Sequence, residues 1–336
     1  MSTIPPYLYA MYSIKDQKSD AACLIASIAV EEMLHLALTT NLLLALGGEP
    51  DFGVDLIPTF PSLLAHHQPD LTLELRRCTP EVVRDMFMVI ERPEDPGSPP
   101  EDDQYETLGQ YYAALEIAIE ELSADMDIFA NHQPDRQLSD PSYYGPVAFD
   151  AADSGGLMLI DDAVSARQAL EIVVHQGEGL CYERWADPAH QELTHFYKFA
   201  QLADGTTPIG ETWPVVDNPR TAELPAELQP VSDLFNAVYT LVFRTMGELC
   251  TARRSKGALV GLLYGLMKDG MAPVACYLAR RPLSETSNAG PTFEWYEFDG
   301  DPETETLALA RDVARSHPEL DRTAATMAKV LTQGRG

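Results

Sequence analysis

The stretch VEEMLHLALTTNLLLALGGEP, residues 30–50, decides how the chain reads. It completes an apolar run that starts at Asp20. Ser19 or Asp20 is placed to cap the beginning and Gly47-Gly48 to stop the end, which predicts a helix from Asp20 to Leu46. At roughly 100° per residue, Leu24, Glu32, His35, Thr39 and Leu42 all point within about 40° of Ile28. A glutamate and a histidine therefore share the apolar face of a long helix. An uncompensated charge there is costly, so the pair needs a chemical reason.

Outward from that helix the chain continues to read as helical. Glu49 to Leu75 is interrupted by Pro50, Pro58, Pro61 and Pro69 and predicts a long excursion. Glu81 to Glu91 is a short helix stopped by Arg92-Pro93, followed by the acidic linker PEDPGSPPEDD. Tyr105 to Ala130 predicts a second long helix with Leu108, Tyr112, Leu115, Ile119, Leu122 and Met126 on one stripe. Gly109, Ala113 and Ala114 form a small-residue face that suggests burial on both sides. Asp161 to Trp185 and Ala189 to Leu202 predict two more helices. After a Pro-rich passage from Asp204 to Pro230, Val231 to Leu249, Ala258 to Lys268 and Pro302 to Leu331 add further helices. No strand series or short repeat is evident. The fold class is all-α, as a bundle over residues 1–205 with a helical extension over 206–336.

Composition narrows the function. The 336 residues carry 52 Asp+Glu against 23 Lys+Arg, a formal net charge of −29. Such a surface repels phosphates and anionic lipid, so nucleic acid and membrane surfaces are not expected partners. The five cysteines lack metal or disulfide spacing, and the N-terminus lacks a signal-peptide pattern. A reducing, cytoplasmic setting is the expectation. The longest uninterrupted apolar stretches are too short to span a bilayer.

Two Glu-x-x-His pairs carry the chemistry: Glu32–His35, and Glu192–His195 in the predicted fourth helix. On a helix, positions i and i+3 share a face, so each pair can present a carboxylate oxygen and an imidazole nitrogen to one metal ion. A hydrogen-bonded core pair is the plainer alternative. Four-helix bundles that hold two metal ions add a lone Glu from each of two further helices. Glu178, between Gly177 and Gly179, is the favoured candidate, with Glu171 as fallback. Glu31 is either a bridging or outer carboxylate, or a helix-flank charge. Glu116 and Glu120 read as solvated, and His66-His67 as packing or pocket lining.

Several blocks together resemble a known family: TIPPYLYAMYSI (3–14), residues 30–50, FMVIERPED (87–95), YETLGQYYAAL (105–115), HQGEG (175–179), ELTHFYKF (192–199) and AGPTFE (289–294). The combination is similar to the ferritin-like domain family of the iminophenyl-pyruvate dimer synthase type, which includes the violacein-pathway imine dimer synthase. The resemblance implies a ferritin-like bundle, an oxidative role in secondary metabolism, and a metal site at Glu32, His35, Glu178, Glu192 and His195. Relatives usually carry a glutamate three residues before Thr3, ahead of Met1, and often one where this chain has Gln110.

The function these readings support is a non-haem oxidoreductase using iron, as a di-iron or single-iron site, or manganese. Its substrate would be a small aromatic or amino-acid-derived metabolite, in a reaction akin to imine coupling. Homodimerisation is left open. The alternative is a non-catalytic ferritin-like metal-binding or structural protein, which the neutral Gln110 favours. The Pro-rich excursion favours the enzyme, because a storage bundle needs no such insert.

Overall fold

The computed structural model describes residues 1–95, 97–101, 103–145, 155–177, 194–251 and 255–333. Among these the chain is all-α, apart from a ribbon that pairs Ser62–Leu63 with Thr72–Leu73 inside the Pro-rich excursion. Helix α1 is Ile4–Ser13, with its prolines in the first turn, where their missing N–H groups cost nothing. Helix α2 runs Asp20–Ala45. Ser19 caps it by accepting from the Ala22 amide. It ends with Gly47 at φ +79°, and the Gly47 and Gly48 amides return to Leu44 and Leu43, which satisfies the last carbonyls.

Helix α3 is continuous over Pro80–Val82, Val83–Phe87 and Met88–Ile90, the middle turn being π-helical. Thr79 caps it, and Glu91 terminates it. Helix α4 is Leu108–Asp125, α5 is Ala163–Gly177, and α6 is His195–Asp204. Helices α2, α3, α5 and α6 converge, with α1 laid against α2. The candidate site lies at that convergence.

Helix α4 corrects the predicted stripe. Of its six members only Ile119 is buried, while Leu122 and Met126 are 48% and 57% exposed. The helix packs chiefly against α5, so one flank suffices to seat it, and Ala113 and Ala114 are only half-buried.

The C-terminal half packs α7 (Gln229–Leu249) against α8, which runs through Lys256–Gly265, a π-turn at Leu266–Met271, and Ala272–Ala279. Helices α9 (Pro302–Ser316) and α10 (Asp321–Gln333) complete it, separated at His317-Pro318 where a single run was expected. Helix α1 joins the halves by packing on α8 as well as α2, and one apolar core extends from Tyr7 to Leu331. The AGPTFE block is anchored there. Thr292 bonds Ser232 and Asn236, and Phe293 (φ +50°) packs edge-on against Phe235 and Tyr239.

By length and composition α2 and α8 could each cross a membrane, contrary to the short-run argument from sequence. Their most apolar windows are 61% and 56% buried inside the fold, as expected of core helices. Among the described residues Cys23, Cys78, Cys250 and Cys276 are unpaired thiols.

Candidate metal centre

Helix α2 supplies Glu31, Glu32 and His35 to one interior site. Helix α6 adds His195 and Lys198, α5 adds Gln176, Glu91 enters from the end of α3, and Tyr7 from α1. The two histidine rings face each other with centroids 5.3 Å apart. Glu32 Oε1 lies 3.1 Å from His35 Nδ1 and 3.4 Å from His195 Nδ1. One ligand-capable atom each from Glu32, His35 and His195 falls within 4.8 Å of the others. Glu91 Oε2 is also 3.4 Å from His195 Nδ1.

Each of these groups is held from behind. Thr3 donates to Glu32 Oε2 at 3.0 Å, and Tyr7 donates to Glu91 Oε1 at 2.6 Å. His35 Nε2 meets Gln176 Oε1 at 2.9 Å, and His195 Nε2 meets Glu31 Oε2 at 2.9 Å. A histidine whose outer nitrogen bonds a carboxylate or amide oxygen presents its other nitrogen in a fixed direction, the arrangement common behind metal ligands. Here both inner nitrogens are Nδ1.

Charge is distributed to match. Burial alone would raise the Glu31 carboxyl, but the hydrogen bond and charge of His195, together with Lys198, outweigh it and hold it at about 2. Burial is likewise overcome at Glu32, chiefly by His35, which keeps that carboxyl below the usual carboxylate range. Burial would lower His195, yet Glu91 and Glu31 hold it up at about 10. Burial, then the Glu91 charge, pushes the Tyr7 phenol well above its ordinary value, so it remains a donor.

The donor set fits a metal ion. His195 is 0% exposed, and its Nδ1 has no hydrogen-bond partner although it faces two carboxylate oxygens. A buried polar atom left without a directed partner asks for an explanation, and a cation shared with Glu32, Glu91 and His35 supplies one. Carboxylate oxygen with imidazole nitrogen suits iron, manganese or zinc. A cavity of about 180 Å³ adjoins the cluster, lined by Glu32, His35 and Glu91 together with Leu36, Ile90 and Val173.

A ferritin-like family model matches residues 1–204, well over half of the chain. The chain belongs to the ferritin-like family. It is 26% identical, over 87% of its own length, to 2-imino-3-(indol-3-yl)propanoate dimerase from Chromobacterium violaceum, and spans 32% of that protein's length. A ferritin-like protein from Caulobacter vibrioides has the same fold, with a TM-score of 0.62 at 20% identity, covering 88% of this chain and 93% of that one.

Of the metal candidates read from sequence, the ferritin-like bundle brings Glu32, His35 and His195 together; Glu178 and Glu192 lie outside the described residues. Helix α6 starts at His195, with Thr194 extended before it. The fallback Glu171 is exposed, on the side of α5 that faces Glu116. Glu31 accepts from His195 Nε2, the ring nitrogen turned away from Glu32. Gln110 is buried on α4, where it donates to Pro99 O at 3.0 Å and accepts from Thr107. It pins the preceding loop and is not among the residues lining the cavity.

Glu91, Tyr7, Gln176 and Lys198 were missed as site residues. Glu91 had one signal, a carboxylate just before the Arg92-Pro93 stop, which leaves the last helical side chain free to turn inward. Lys198 had another, standing three residues after His195 on the same helical face.

Proposed function

We propose that this ferritin-like chain is a non-haem, metal-dependent oxidoreductase acting on a small aromatic or amino-acid-derived metabolite. The reaction class is oxidative coupling of imine-type intermediates in secondary metabolism. The observation that carries the metal half of this reading is the buried His195 Nδ1, which lacks a hydrogen-bond partner and faces Glu32 and Glu91. The substrate half draws support from the similarity to the indolyl imino-acid dimerase, whose name describes the joining of two such imines.

Glu32, Glu91, His35 and His195 would hold the ion, with iron or manganese as the expected metal. When bound, that ion supplies one-electron redox chemistry and a place to engage dioxygen or peroxide. Joining two imino acids by a new carbon–carbon bond removes two electrons and two protons, which the oxidant accepts. The chain's own residues do the rest. Leu36, Ile90 and Val173 give the cavity apolar lining, against which an aromatic substrate would pack. Tyr7 and Thr3 keep the two inward carboxylates from swinging into it. In the metal-free fold the positive charge of His195 is balanced by Glu91 and Glu31.

Turnover tests the reading. Chain reconstituted with Fe(II) would be given aromatic imino acids generated in place from their amino acids, and dioxygen or peroxide consumption followed. Expected is metal-dependent consumption with a product whose mass is two substrates less two hydrogens. Consumption no greater than that of metal-free chain would contradict it. A second reading, a non-catalytic bundle, has its own support: Lys198 and His195 already balance Glu31 without any ion. On that reading the reconstituted chain is inert.

A further inference from the structure

Lys198 is a fully buried ammonium beside a cluster suited to a divalent cation, an expensive arrangement unless the lysine serves the site. It does not face the inward ligand atoms. Its Nζ lies 2.6 Å from Glu31 Oε1 and 2.6 Å from Glu31 Oε2, so it claims both oxygens of that carboxylate. Glu31 Oε2 also accepts from His195 Nε2 at 2.9 Å. Lys198 and His195 sit three residues apart on α6 and reach the same carboxylate on α2. The neighbouring Glu32 turns instead toward both Nδ1 atoms.

Two consequences follow from this geometry. A ring whose Nε2 proton is engaged by an anionic acceptor can offer only Nδ1 to an ion, so Glu31 selects the nitrogen. An ammonium 2.6 Å from both carboxylate oxygens holds Glu31 on the Nε2 side of His195 and offsets its charge, so Lys198 opposes its turning inward to become a ligand. We propose that Glu31 and Lys198 are positioning residues for His195, fixing its proton on Nε2 and its Nδ1 toward the metal. This rests on the metal-binding reading above.

The test uses the full chain loaded with Zn(II), a diamagnetic probe, and nitrogen-15 histidine spectra that report which ring nitrogen carries the proton. In the wild type, His195 is expected to show Nε2–H with Nδ1 bound to metal. The double variant Glu31→Leu/Lys198→Met replaces a buried ion pair by apolar groups, a change that commonly leaves folding intact. Expected is unaltered far-ultraviolet circular dichroism, Zn(II) binding weakened about 10- to 100-fold, and loss of the single Nε2–H form of His195.

Should the double variant not fold, Glu31→Gln keeps the size and removes the charge, and weaker Zn(II) binding with a changed His195 signal is again expected. If the folded variant binds Zn(II) as tightly as wild type with an unchanged His195 spectrum, the pair is only a buried ion pair and the inference is overturned. If wild-type chain takes up no Zn(II) at all, the metal reading falls and this inference falls with it.

Discussion

Tyr7 on α1 and Glu91 at the end of α3 meet at 2.6 Å in the interior, with the phenol donating to the carboxylate. Both are buried, and Tyr7 also packs its ring against Phe87 and Phe199. This contact ties the N-terminal helix to the candidate site. It also leaves the other oxygen of Glu91 facing His195.

Replacing Tyr7 by Phe keeps the ring packing and removes only the hydroxyl. A hydrogen bond to a charged group contributes about 1.5–3 kcal/mol, and the metal-free variant should lose stability in that range by urea unfolding. A loss below about 0.5 kcal/mol, the size of an ordinary surface change, would show that Glu91 does not depend on this donor.

Gln110→Glu is expected to destabilise without helping the site. The substitution removes the donor to Pro99 O and turns a carboxylate oxygen toward that carbonyl in a buried position. Leaving the carbonyl unsatisfied costs about 1–3 kcal/mol. Thermal melting should fall while metal affinity stays at the wild-type value. Tighter metal binding would place Gln110 near the ion after all.

What the sequence disclosed was local. Helix α2 was legible because its cap, its period and its glycine stop all lie within about thirty residues and agree with one another. That agreement put Glu32 and His35 on one inward face. The partners of His195 were hidden because they come from distant segments. Glu31, Glu91 and Glu32 lie more than a hundred residues away along the chain, and spacing says nothing about such pairings. Helix α4 misled for another reason: periodicity shows that Leu122 and Met126 can face apolar surroundings, not that a neighbour exists to cover them. Gln110 was read by analogy with a charged residue in relatives, whereas its amide donor has a loop carbonyl to hold.

Metal uptake should release a proton. In the metal-free fold His195 carries its proton up to about 10, because Glu91 and Glu31 outweigh the effect of burial. An ion at Nδ1 must displace that proton, whereas Glu31, held at about 2, is already ionised at neutral pH. Affinity should therefore rise with pH until it approaches 10. The folding linkage has a matching sign. The raised value stabilises the metal-free fold fully below 6.5, the ordinary histidine value, and that contribution is lost as pH climbs through about 10. Calorimetry near neutral pH in buffers of different ionisation enthalpy counts the protons. A count of zero would contradict this assignment.

The most direct test of the central claim is metal content by elemental analysis after anaerobic loading with Fe(II) and dialysis, on wild type, His35→Ala and His195→Ala. Expected is about one to two ions per wild-type chain, a strong loss in each variant, and helical circular dichroism largely retained in all three. The large apolar core should let the bundle fold without its ion. Fewer than about 0.2 ions per wild-type chain, or variants that hold as much metal as wild type, would contradict a metal centre built on Glu32, His35 and His195.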